Sequence, residues 1–145
     1  MTEELPFFVY GTLRPGERNH ALFLHGRTAS EEPARLPGAL LCDGPGYPYA
    51  VRGAGGGVLG DLVTAAPGRY DALLSVLDRL EEYAGPGHPL NVYEREACDV
   101  VRVRDGATVR AWVYVAASAA ELGAPIPGGD WLRRPSPVPD GPRTP

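Results

Sequence analysis

Glu81 carries a charge on a face where every neighbour is apolar. It sits near the end of Arg69 to Tyr83 (RYDALLSVLDRLEEY), a segment bounded by Pro67-Gly68 and Gly85-Pro86 whose apolar spacing predicts an α-helix. At about 100° per residue, with Leu73 at zero, Leu77, Tyr70 and Leu74 fall at about 40°, 60° and 100°, and Leu80, Val76 and Tyr83 at about 340°, 300° and 280°. These residues form one continuous apolar arc. Asp71, Ser75, Asp78, Arg79 and Glu82 lie opposite, between about 140° and 240°. Glu81 falls at about 80°, inside the arc. Desolvating a carboxylate there without a partner costs several kcal/mol, so the group either holds its proton more tightly or takes a cation. A carboxyl of raised pKa in an apolar cleft suits general acid–base catalysis near neutral pH. A buried salt bridge, with Arg95 the obvious partner, would instead make Glu81 structural. The wheel leaves both readings open.

A second candidate feature is the loop Tyr10-Gly11-Thr12-Leu13, where the apolar run Leu5 to Tyr10 (LPFFVY) ends. A glycine at the mouth of a buried strand permits a turn whose successive N–H groups share one concavity. Such a nest holds a carboxylate or a developing oxyanion without a basic side chain. An ordinary strand-end turn has the same appearance. Tyr93 and Tyr114 are further candidates to bring a hydroxyl to a cleft. Arg95 can bind a substrate carboxylate or pair with an acid. Asp78 reads as a surface or cap residue.

Other chemistries are excluded by what the chain lacks. It contains no lysine, so a Schiff base, a lysine nucleophile and a P-loop are all ruled out. His20, His25 and His88 share no ligand spacing, and His20 and His25 lie about 140° apart on a helix. Cys42 and Cys98 are too far apart in sequence for a CxxC motif and read as two buried thiols. No metal and no cofactor is expected. Gly53-Ala54-Gly55-Gly56-Gly57 lacks the following helix of a nucleotide loop. A net charge of −4 argues against nucleic acid as a partner. No apolar run is long enough to span a bilayer, and the opening MTEELPFF is acidic where a signal peptide is basic, so a cytoplasmic location and no membrane partner are expected.

The elements that would position these groups are mostly strands. The 145 residues suit one domain, over 1–133, with a Pro-rich and disordered tail over 134–145. Asn19 is placed to cap a short helix, Asn19 to His25, closed by Gly26. Residues 27–57 are rich in Pro and Gly and promise short strands at best, with Gly38 to Leu41 one candidate. Val58 to Thr64 is a clearer strand. After the helix and a loop over 84–90, Val92 to Arg104 reads as extended, Asp105-Gly106 as a two-residue hairpin turn, and Thr108 to Ala116 as the return strand. Many strands around one central helix predict an α+β domain with a curled sheet or barrel.

Taken in order, the motifs resemble those of the γ-glutamylcyclotransferase-like (AIG2-like) family. Val-Tyr-Gly-Thr-Leu at 9–13, with Gly16 and Asn19 behind it, resembles the family's opening signature. Leu77-Asp78-Arg79-Leu80-Glu81 resembles the motif that carries its catalytic glutamate. Gly60-Asp61 (Asp where members have Glu), Tyr93-Glu94-Arg95, Ala111-Trp112-Val113-Tyr114 and Gly129-Asp130-Trp131 follow in the family's order. Glu82-Tyr83 departs from it, since members often have glycine after the glutamate. The resemblance implies a small mixed β-barrel flanked by helices, with the cleft at the 10–13 loop. It implies an intramolecular aminolysis of a small γ-glutamyl substrate to 5-oxoproline and a free amine. Glu81 would be the acid–base group, with Tyr10, Gly11, Thr12, Leu13, Tyr114 and Arg95 as substrate-binding residues. The chain's short length and the Gly-Asp-Trp element lean toward members that release an amine. A non-catalytic module of the same fold and a γ-glutamyl amide hydrolase remain alternatives, and the oligomeric state is not legible.

Overall fold

The apolar run at the start of the chain forms β1 (Phe7–Val9), buried on both faces because it is an inner strand. In the computed structural model, which describes residues 4–133 apart from 16, 18, 25, 45, 46, 54, 118, 119 and 121, β1 lies between two partners. It runs antiparallel to β5 (Val58–Ala65), with Phe8 opposite Leu62, and parallel to β7 (Thr108–Ala116), with Phe8 opposite Val113. β5 continues to β2 (Thr28–Leu36), β2 to β6 (Tyr93–Arg102), and β6 back to β7. The circuit β1-β5-β2-β6-β7 is a closed barrel, and the one parallel junction makes it mixed. A separate hairpin, β3 (Ala39–Cys42) and β4 (Tyr49–Arg52), packs beside it. The expected small mixed barrel is therefore the observed architecture.

The barrel interior and the helix share one core. Phe8, Val58, Leu62, Val100 and Val113 fill the barrel, while Phe7 and Val63 face outward on the side where α1 (Tyr70–Leu80) packs and adds Leu73 and Leu77, all buried. The Tyr70 ring stacks on Phe7 at 5.6 Å between centroids and its hydroxyl accepts the Trp112 indole N–H at 2.9 Å. The buried face of α1 is thus the apolar arc of the wheel. Gly60 permits the close approach of β5 to β1, since a Cβ there would lie 2.4 Å from the Val9 carbonyl oxygen.

Several boundaries differ from the sequence reading. The helix ends at Leu80, not Tyr83, because Glu82 adopts a left-handed φ of 53°. The N–H of Tyr83 then reaches the Asp78 carbonyl at 2.9 Å and that of Glu82 the Arg79 carbonyl at 3.2 Å, a Schellman closure. Residues 27–57 hold a nine-residue strand, β2, that the sequence conceals. Its residues are mainly polar, and Pro33 interrupts the pattern. Pro33 is tolerated because β2 pairs fully with β5 but meets β6 only through Ala34 and Arg35. The two-residue turn at Asp105-Gly106 is instead a wider loop over 103–106, closed by the Arg102 N–H to the Ala107 carbonyl at 2.8 Å. Arg102 grips Asp105 through two N–H bonds of 3.0 and 2.8 Å. The expected helix after Asn19 is a π-helical turn, His20–Leu24; its predicted end at His25 and the predicted tail at 134–145 lie outside the described residues. Cys42 and Cys98 are buried free thiols. Among the described residues no helix is long and apolar enough to cross a membrane, and no cluster of His, Cys, Asp or Glu can hold a metal ion.

Candidate active site

The end of β1 and the end of α1 meet at a cleft of about 370 Å³, lined by Phe8 to Leu13, Tyr47, Pro48, Glu81, Tyr93 and Tyr114. Both termini are shaped locally. Gly11 lets the chain turn tightly past Pro48, whose ring atoms would lie 2.8 Å from a Cβ at that position. The turn is closed by the Arg14 N–H to the Gly11 carbonyl at 3.0 Å. Asn19 clamps it from the other side, with its side-chain amide donating to Thr12 Oγ1 at 2.7 Å and its N–H to the Thr12 carbonyl at 3.0 Å. Asn19 thus braces the loop where a helix cap was expected. Among the described residues, the N–H groups of Gly11, Thr12 and Leu13 donate to no protein acceptor. Buried amides left unpaired are costly, and a nest of them awaits an anionic or carbonyl oxygen.

Glu81 caps the helix, its N–H still bonded to the Leu77 carbonyl at 2.9 Å. The helical period therefore carries one residue past the last regular turn and delivers this side chain to the cleft. No side chain among the described residues donates to its carboxylate. Burial, reinforced by the negative charge of Glu82, raises its pKa from 4.5 to about 8. Among the described residues, no cation lines the cleft to oppose this.

Three cleft tyrosines have their hydroxyls engaged elsewhere. Tyr10 donates to the Tyr114 carbonyl and accepts the Ala50 N–H at 3.1 Å. Tyr93 donates to the Pro48 carbonyl at 2.6 Å, and Tyr114 to Asp78 Oδ1 at 2.6 Å. Burial above all pushes all three phenols well above 10.0, reinforced by the Glu81 charge at Tyr10 and Tyr93 and chiefly by the hydrogen-bonded Asp78 carboxylate at Tyr114. They remain protonated and hold the walls in place, which leaves Glu81 as the group able to exchange a proton.

Tyr10, Gly11, Thr12, Leu13, Glu81 and Tyr114 are brought together on one cleft; Arg95 is not among its lining residues. Arg95 and Tyr114 are cross-strand partners on β6 and β7, and both turn to Asp78. Arg95 Nε lies 3.4 Å from Asp78 Oδ1, at an angle that makes no hydrogen bond, and the guanidinium stacks over Trp112 at 4.6 Å and Tyr83 at 5.1 Å. The ion pair weighed for Glu81 is thus made by Asp78. Asp78 itself is half-buried beneath these two strands, not on an open surface.

Sequence reasoning passed over Arg14. It donates from Nε to Asp61 at 2.8 Å and from Nη1 to Asp130 at 2.7 Å, all three groups being largely buried. Trp131 adds an indole bond to Glu17 at 2.9 Å. The loop is therefore anchored from behind by the same Asp61 and Gly-Asp-Trp elements that stand out in the sequence. Tyr47 and Pro48 were also passed over, since nothing in their Pro- and Gly-rich surroundings is periodic.

Comparison with known proteins agrees with this architecture. The profile of the family described as gamma-glutamyl cyclotransferase, AIG2-like, matches residues 7–133. A gamma-L-glutamyl-butirosin B gamma-glutamyl cyclotransferase from Niallia circulans is 37% identical over 111 residues, covering 74% of this chain; the chain spans 64% of that relative's length. Among solved structures, YkqA from Bacillus subtilis superposes with a TM-score of 0.63 at 26% identity, over 88% of this chain and 39% of its own. An AIG2-like protein from Mus musculus gives 0.62 at 26% identity, over 90% and 84%.

Proposed function

This chain belongs to the gamma-glutamyl cyclotransferase, AIG2-like family, and we propose that it converts γ-glutamyl amines or γ-glutamyl amino acids to 5-oxoproline and a free amine, with Glu81 as acid and base. One observation carries the reading: an unpartnered carboxyl of raised pKa shares a cleft with the unpaired amides of residues 11–13. The relative from Niallia circulans, named for a γ-glutamyl compound, supports the substrate class.

The substrate's glutamyl group lies along the loop, its γ-carbonyl oxygen facing the amides. Its α-amine is a few bonds from the γ-carbon and closes a five-membered ring, so the reaction needs only the right conformer. Glu81 accepts the amine proton as the new C–N bond forms. A carboxylate with a pKa of about 8 is a far stronger base than an ordinary one, so this transfer is close to balanced. The charge that develops on the carbonyl oxygen is met by the loop amides. Glu81 then gives the proton to the departing nitrogen as the old C–N bond breaks. Substrate atoms divide between 5-oxoproline and the amine, and no water is consumed. Arg95, through Asp78 and Tyr114, keeps the β7 wall in position.

The test is mass-spectrometric product analysis with γ-glutamyl-ε-lysine, γ-glutamyl amines, γ-glutamyl-alanine and glutathione, using the parent and Glu81→Gln. 5-Oxoproline from the parent and at least a hundredfold less from the variant is the expected outcome. Glutamate as product would replace aminolysis by hydrolysis. No product from any compound would reduce the cleft to a binding site.

A further inference from the structure

The departing amine has to leave on the far side of Glu81, and the space there has its own chemical character. The cleft continues into an outer lobe of about 400 Å³ bordered by Thr12, Asn19, Tyr47, Leu80, Glu81, Glu82 and Tyr93. Thr12, Tyr47, Glu81 and Tyr93 border both lobes, so they form the waist between them. With the glutamyl group on the loop amides, the γ-carbonyl sits at this waist and the leaving group in the outer lobe.

Among the described residues, no arginine or histidine lines either lobe. Glu82 is exposed, and among the described residues its carboxylate joins no hydrogen bond or ion pair. The other nearby charges are occupied: Glu94 accepts from Asn91 at 2.8 Å and from the Gly87 N–H at 3.1 Å, and Asp78 is held by Tyr114 and Arg95. Tyr47 and the carbonyl end of the Asn19 amide add uncommitted oxygen acceptors, since the Asn19 nitrogen is spent on Thr12. The backbone of Glu82 is locked by the helix closure, so its side chain leaves from a fixed point at the lobe's edge.

We infer that Glu82 is a specificity residue, selecting leaving amines that carry a second, protonated nitrogen. This rests on the cyclotransferase reading and narrows its substrate class. A leaving group with a carboxylate beside the scissile nitrogen, as in a γ-glutamyl amino acid, meets negative charge and acceptors among the described residues of this lobe and is disfavoured.

The experiment compares kcat/KM for mono-γ-glutamyl-1,5-diaminopentane and γ-glutamyl-n-hexylamine, which differ in the terminal ammonium, with γ-glutamyl-alanine as the anionic member. Parent and Glu82→Gln are assayed. A partly solvated ion pair supports about a two- to fivefold preference for the diamine in the parent. That preference shrinks with added salt and falls to about one in Glu82→Gln. Any change that Gln makes to Glu81 affects both substrates alike and cancels in the ratio. A parent ratio of one or less, or a ratio unmoved by Glu82→Gln, overturns the inference while leaving the cyclotransferase reading intact. Absence of 5-oxoproline from all three compounds overturns both.

Discussion

Replacing Glu81 by Gln should stabilise the protein while ending its chemistry, and the gain should grow with pH. The carboxyl ionises near 4.5 in the unfolded chain and near 8 in the folded one. With the folded value raised, the contribution of this group is fully present below 4.5 and is lost as pH rises toward 8. Each pH unit in that window is worth about 1.4 kcal/mol, so the loss reaches ~5 kcal/mol above pH 8. Among the described residues, the titratable groups facing Glu81 are Glu82 and the tyrosines at 10, 47, 93 and 114, and none supplies the cation that would cancel the effect. Gln has the same shape and does not titrate. Between pH 5.5 and 8.5 the stability gap between variant and parent should therefore widen by about 3 kcal/mol, a large share of a domain's net stability. Urea denaturation of both proteins across that range measures it. Parallel stability curves, or a gap that narrows as pH rises, would show that Glu81 is not held in a desolvating site, and the acid–base assignment would lose its physical basis.

Other substitutions probe the supports of the site. Arg14→Met should destabilise by about 3–5 kcal/mol in chemical denaturation, because it strands the buried carboxylate of Asp61 and takes the charge partner from Asp130; adding Asp61→Asn should recover much of the loss. Glu82→Gly removes a left-handed non-glycine residue at a gain of about 1 kcal/mol, partly offset by the freer unfolded chain. It also removes the charge that raises the pKa of Glu81, so its urea midpoint should exceed the parent's by more at pH 8 than at pH 5.

The core of the site was legible because local patterns carry it. The wheel of α1 placed Glu81 among apolar neighbours, and the angle survived the early end of the helix because the Glu81 N–H still bonds the Leu77 carbonyl at 2.9 Å and so keeps its Cα in helical register. The turn at Gly11 followed from a glycine ending a buried run. What the sequence hid depends on pairing between distant segments. β2 gives no alternating signal, since it pairs along its length with β5 but meets β6 only at Ala34 and Arg35, which leaves room for polar residues and Pro33. Arg95 had two acids within reach of a wheel diagram, and only the register of β6 against β7, which sets it beside Tyr114, assigns it to Asp78. Arg14 lies 47 and 116 residues from its two partners, a separation no local pattern spans. Glu82 shows the reverse case: where members often have glycine, this chain has a residue that must take the left-handed conformation at a cost, and that cost marks the position as one to test.

The parallel junction of β1 with β7 also fixes when the site can come into being. β1 finds one neighbour at residues 61–63 and the other at 112–113, while the Tyr10 hydroxyl waits for the Tyr114 carbonyl and Arg14 for Asp130. During synthesis the loop that would grip the substrate emerges before all of these partners, and its last contact emerges more than a hundred residues later. The strongly apolar strand Phe7–Val9 can pair along one edge once residues 61–63 emerge, but its other edge stays unmatched until residues 112–113 follow. Such late, long-range closure makes folding slow and leaves the nascent chain exposed to aggregation until residues 112–130 have emerged.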